Sequence, residues 1–103
     1  MYGRLIEFSG ADPEKREGAI ETINETVLPM LRSYEGFAGY IALYDKENRR
    51  ARAILLWETE EAAEEAEQTL RDRRQKISSS IGLTVESADL YEAPVVALEG
   101  ARV

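Results

Sequence analysis

Two runs near the middle of the chain, Tyr40-Ile41-Ala42-Leu43-Tyr44 and Ala53-Ile54-Leu55-Leu56-Trp57, are apolar at every successive position. Extended chain sends neighbouring side chains to opposite faces, so a strand with one wet face alternates apolar and polar residues. Neither run alternates. Asp45-Lys46-Glu47-Asn48 between them is turn chemistry, so Phe37 to Tyr44 and Arg49 to Trp57 read as a hairpin that must be covered on both faces.

The flanking segments supply one cover. Tyr2 to Phe8 reads as a strand, ended by Ser9-Gly10-Ala11. Asp12-Pro13-Glu14 combines an N-cap acceptor, a proline at the first helical position and an acid in the first turn. The helix it starts carries Ile20, Ile23, Val27, Met30 or Leu31, and Tyr34 on one face. Pro29 lies inside this pattern and predicts a kink or a tightened last turn, because it lacks an amide hydrogen and crowds the preceding turn. Gly36 is placed for a left-handed C-cap. Thr59, followed by Glu60 and Glu61, caps a second helix with a stripe of Ala63, Ala66, Leu70 and Ile77, small enough to lie close to a sheet. Ser78 to Gly82 ends it, and Leu83 to Glu92 is a fourth strand.

The order strand, helix, strand, strand, helix, strand predicts an α+β domain with the ferredoxin-like βαββαβ fold: a four-stranded antiparallel sheet with two helices on one face. The domain is expected over residues 1–93, with 94–103 as a C-terminal tail. Two helices cover one side of the hairpin only. Four strands at about 4.8 Å spacing and about six residues at about 3.4 Å each leave roughly 400 Å² of flat face. That is within the range of the largest apolar patch a monomer exposes. Pairing with a second copy would bury on the order of 800 Å² per partner. Val95 to Val103 is too short to cover four strands, so a homodimer through the sheet face, forming a dimeric α/β barrel, is expected.

Composition removes several function classes. A net charge of −7 opposes binding to a phosphate backbone, so no nucleic-acid partner is expected. The cations Arg71, Arg73, Arg74 and Lys76 are read as offsetting the carbonyls of a helix C-terminus. The acids Glu60, Glu61, Glu64, Glu65 and Glu67 are read as a solvated face, with Glu67 paired to Arg71 one turn on. Cysteine and histidine are absent, which removes thiol chemistry, His- or Cys-ligated zinc and haem, and the commonest general base near neutrality. No metal or cofactor is expected. Met1 to Phe8 lacks the pattern of a signal peptide, and no apolar stretch is long enough to span a bilayer. A cytoplasmic protein with no membrane partner is the expectation.

The stretches Tyr34-Glu35-Gly36-Phe37-Ala38-Gly39-Tyr40 and Ala53-Ile54-Leu55-Leu56-Trp57-Glu58-Thr59-Glu60-Glu61-Ala62 resemble antibiotic biosynthesis monooxygenase-like domains of the dimeric α/β barrel superfamily. The resemblance implies a back-to-back sheet dimer with a pocket in each subunit between the helices and the sheet. It also implies an activity, cofactor-independent oxygenation of a small aromatic quinol- or anthrone-like compound. A non-catalytic dimeric module that binds a small ligand is the alternative. Some relatives of this kind degrade haem through an asparagine, a tryptophan and a histidine; Trp57 matches the tryptophan, but the asparagine and histidine have no counterparts here.

The candidate pocket residues are Trp57, Tyr34, Tyr40 and Tyr44, whose polar tips could orient a ligand, together with Arg4 and Glu7 on the first strand. Each aromatic has a plain alternative as a core residue. Alternation places Arg4 and Glu7 on opposite faces; an inward carboxyl there would be a base with a raised pKa. If Trp57 lines the pocket, Trp57→Ala is expected to remove turnover and leave the fold intact.

Overall fold

The computed structural model describes residues 1–100, so the last three residues of the expected tail lie outside the described part. Strands β1 (Tyr2–Ser9), β2 (Phe37–Asp45), β3 (Arg50–Trp57) and β4 (Thr84–Glu92) form one antiparallel sheet in the order β2-β3-β1-β4. This is the expected βαββαβ arrangement, with α3 (Glu60–Ser80) as the second helix. The Thr59 hydroxyl accepts the Ala62 N–H at 3.1 Å, and Asp12 Oδ1 accepts the Glu14 N–H at 3.0 Å, so both expected caps form.

The first helical run differs from the expectation around Pro29. A 3₁₀ turn (Pro13–Lys15) leads into α1 (Arg16–Thr22), then a π-helical turn (Ile23–Val27), then α2 (Leu28–Arg32). Pro29 cannot donate, and its ring crowds the carbonyl four residues back. The chain responds upstream with a wider turn, in which the Leu28 N–H reaches the Ile23 carbonyl, instead of kinking or tightening after the proline. The inserted turn rephases the apolar face. Leu31, at 1 % exposure, becomes the core residue, whereas Ile20 is left 40 % exposed.

The register sorts the two-sided hairpin. Ile6 lies opposite Ala53, and Leu55 lies between Arg4 and Tyr40. Ile6, Ala53, Leu55 and Trp57 therefore share the helix side, where they pack with Leu31, Ala63, Ala66 and Leu70. The alanines of α3 place that helix close over β1 and β3. Ile41, Leu43, Ile54 and Leu56, with Leu5 and Tyr91, project to the opposite face, which no helix covers. The remainder of that face, toward the hairpin end, is polar: Glu7, Arg52 and Ser87 interact there. The apolar part is thus smaller than four full strands.

Gly36 ends the helical run at φ +84°, and a Cβ there would stand 2.6 Å from the Ala62 Cβ. This position takes glycine both for its left-handed backbone and because α3 begins against it. The chain then enters β2 with its pairing shifted between Phe37 and Gly39.

Trp57 is 1 % exposed and meets Tyr34 and Phe37 edge-on, at centroid distances of 6.4 and 5.6 Å. It is a central packing residue. Replacing it leaves a cavity that alanine cannot fill, so Trp57→Ala is expected to cost about 3–5 kcal/mol, contrary to the expectation of an intact fold. Urea denaturation of the variant checks this; a midpoint close to that of the parent protein would refute it.

Candidate functional site

A cavity of about 620 Å³ opens between the helix side of the edge strand β2 and the α1–π–α2 run. It exists because the two helical layers sit differently on the sheet. The small residues of α3 seat it tightly over β1 and β3, whereas the α1–π–α2 run spans β2 without filling the space beneath it. Ile20, Ile23 and Leu28 from the helical run face Tyr40, Ala42 and Tyr44 of β2 across the gap. The π turn thus sets the cleft's helical wall, and the exposure of Ile20 is exposure to this cleft.

A second, almost wholly apolar cavity of about 80 Å³ lies deeper in the domain. Ile23, Tyr40, Ile81 and Leu83 line both spaces, so they form the partition. The inner cavity has one charged lining residue, Arg74, and the hydroxyls of Tyr40 and Ser78 as its other polar side-chain groups. Burial pushes the Tyr40 phenol up to about 12, against the opposing charge of Arg74. Tyr40 is therefore a neutral hydrogen-bond donor at neutral pH.

Arg74 is held in place from outside the cavity. Its two terminal nitrogens donate to the Glu67 carboxylate at 2.7 and 2.8 Å, a bidentate pair. Arg4 joins from β1: Nη2 is 3.4 Å from Glu64, Nε is 3.7 Å from Glu67, and Nη1 donates to the Ala88 carbonyl at 3.3 Å. Two readings from the sequence are corrected here. Glu67 pairs with Arg74, two turns on, and not with Arg71. The cluster Arg71 to Lys76 also does not end its helix: α3 runs on to Ser80, and no basic residue lies in its last turn. Instead Arg73 lies 5.9 Å above the Tyr34 ring.

The six candidate residues are not brought together. Tyr40 and Tyr44 line the cleft. Tyr34 is on the far side of the helical run, where its hydroxyl bonds Thr69 at 2.7 Å. Trp57 lines neither cavity. Arg4 points inward but is committed to Glu64, Glu67 and Ala88. Glu7 is on the uncovered face, and hydrogen bonds from Arg52 and Ser87 hold its carboxyl below the ordinary range, the reverse of a raised base. Arg74 was the residue missed. The signal was present, since it continues the stripe from Ala66 and Leu70 at four-residue spacing.

Among the described residues, no group of acids is arranged to hold a metal ion, and no helix is long and apolar enough to cross a membrane.

No family model and no curated protein matches the chain. Solved structures do. A monooxygenase from the gene ActVA-Orf6 of Streptomyces coelicolor, solved with nanaomycin D, superposes with a TM-score of 0.70 at 18% identity, over 96% of this chain and 92% of that one. SnoaB, a cofactor-independent oxygenase from Streptomyces nogalater, gives 0.65 at 15% identity, over 95% and 97%. HapK from Hahella chejuensis gives 0.69 at 7% identity, over 98% and 100%. The chain has the ferredoxin-like fold of antibiotic biosynthesis monooxygenase-like proteins, as the resemblance implied.

The Glu67–Arg74 pair has a pH signature. Burial raises the Glu67 carboxyl, but the Arg74 hydrogen bonds and the charges of Arg74, Arg4 and Arg71 outweigh it, and the net shift is downward from 4.5. A lowered carboxyl adds stability above its unfolded value and loses that contribution as pH falls through its folded value. Glu67→Gln is therefore expected to unfold at lower denaturant than the parent near neutrality, with the gap closing in acid. Denaturation midpoints measured across that range check it; a gap independent of pH would show that the carboxylate charge is not what matters.

Proposed function

We propose that this protein takes a small aromatic quinol- or anthrone-like molecule into the β2 cleft and oxygenates it without a metal or organic cofactor. One observation carries the reading: a mainly apolar cavity of ligand size with a neutral tyrosine in its wall, the same tyrosine lining an inner space that a guanidinium borders. Such a substrate supplies its own electrons. Once deprotonated, an anthrone-type ring passes an electron to dioxygen, the resulting radicals combine at carbon, and loss of water leaves a carbonyl. One oxygen atom enters the product and the other leaves as water. Tyr40 would hydrogen-bond the ring oxygen that carries the negative charge, and Arg74 would stabilise that charge through the partition, where low polarity strengthens the interaction. The shared fold of two structures described as a monooxygenase and a cofactor-independent oxygenase supports the reading.

The test is dioxygen uptake with anthrone and naphthohydroquinones as substrates. Turnover unaffected by chelators is expected, and Tyr40→Phe should slow it on the order of a hundredfold while the protein stays folded. No uptake across that panel by folded protein would remove the oxygenase reading. One observation favours a second reading, a non-catalytic binding module: the cleft's single carboxylate, Asp12, is engaged as a helix cap, leaving no free base. A small molecule retained in native mass spectrometry, without uptake, would select it.

The working unit we propose is a homodimer joined through the uncovered sheet face. Tyr91 and Leu43 stand 54 % and 47 % exposed there, beside Ile41 and Ile54, and a second copy is a cover of matching shape and chemistry. Ile54→Glu, which points away from the helical core, is expected to give the single-chain mass in light scattering where the parent gives twice it. A parent protein of single-chain mass at micromolar concentration would refute the dimer.

A further inference from the structure

The cleft differs in charge from the rest of the molecule. The chain has 20 acidic and 13 basic residues, yet Lys15, Arg16 and Arg32 line the cleft against one acid, Asp12. Asp12 already accepts the Glu14 N–H, and none of the three cations forms a salt bridge among the described residues. In a protein with an excess of acids, three unpaired cations around one apolar cavity make a local positive field, which the apolar walls strengthen.

One of these cations adjoins a second unusual feature. Arg16 lies 5.1 Å above the Tyr44 ring. The Tyr44 hydroxyl is buried and has no hydrogen-bond partner among the described residues. That hydroxyl is closed to a ligand, and the ring is the part of Tyr44 that holds Arg16 at this end of the cleft. Arg32 lies at the far end of the helical run, roughly 24 Å away at about 1.5 Å per residue, so it does not share this corner.

We propose that the Lys15–Arg16–Tyr44 end of the cleft is an anion subsite, and that the molecule bound is an aromatic acid. Its ring lies along Ile23, Leu28 and Ala42. Its carboxylate meets the Arg16 guanidinium, which the Tyr44 ring holds at this end of the cleft, and the Lys15 ammonium. The inference rests on the cleft being the ligand site and adds the charge of the ligand and the end at which that charge is held.

Calorimetric titration with 2-naphthoate and its neutral counterpart 2-naphthamide tests it. The parent protein is expected to bind the acid roughly tenfold more tightly than the amide, the difference produced by a charge-assisted hydrogen bond, and to lose most of that margin at high salt. The exposed pair Lys15→Gln/Arg16→Gln should erase the margin and leave amide binding unchanged. Tyr44→Phe, which keeps the ring beneath Arg16, and Arg32→Gln should each leave the margin intact. Equal binding of acid and amide by the parent, or a margin lost with Arg32→Gln and kept without Lys15 and Arg16, overturns the subsite while the cleft stands as a ligand site. Failure of both probes to bind folded protein overturns the cleft reading and the subsite with it.

Discussion

The seating of α3 on the sheet is the constraint from which the rest of the structure follows. Ala63, Ala66 and Leu70 pack against Ile6, Leu55 and Trp57 with exposures of a few per cent at most. Apolar area removed from water at such a contact stabilises by about 25 cal/mol per Å², and side chains as small as alanine let the helix approach until that area is fully covered. Close approach over β1 and β3 gives Gly36 its essential lack of a side chain, because α3 begins where a Cβ would stand. It also leaves β2, at the sheet edge, to the more loosely seated α1–π–α2 run. The cleft is the space left by this difference between two helical layers.

Pro29 has a role in that difference. A regular helix would carry Ile20, Ile23, Val27 and Leu31 along one stripe toward the core. The π turn adds a residue to the winding before the proline and divides the stripe. Leu31 stays in the core, and Ile20 and Ile23 move to the cavity wall. Wider helical turns are costly in isolation and recur where a side chain must be redirected toward a site. Here a proline supplies the local cause, and the cavity receives the redirected side chains.

The polar interior is ordered by ion pairs between elements. Arg4 from β1 and Glu67 and Arg74 from α3 are each about nine-tenths shielded from water in their side chains. Buried charges are tolerated only when paired and hydrogen-bonded, and this set satisfies itself through two carboxylates and a backbone carbonyl. The network holds one face of Arg74 while the other borders the inner cavity. Glu7, one strand face away, belongs to a separate, wetter cluster with Arg52 and Ser87. The two carboxylates are thus held by different partners on different sides of the sheet.

Local signals carried most of the fold. The caps at Asp12 and Thr59, the glycine at position 36, the hairpin and its two-sided apolarity depend on a few neighbouring residues and on strand alternation, so they could be read from the chain directly. What tertiary structure decided were quantities set by the distance between elements. Trp57 went to the core and not to a cavity, because α3 lies close enough to enclose it. Glu67 took Arg74 over Arg71, because the buried side of α3 carries Arg74 toward Arg4. Of the expected aromatics, Tyr40 and Tyr44 reached the cleft and Tyr34 did not, because β2 borders the open space and Tyr34, beyond the end of α2, turns to Thr69 of α3. A linear sequence specifies which face a side chain occupies; only the packed layers determine whether that face meets protein, cavity or water.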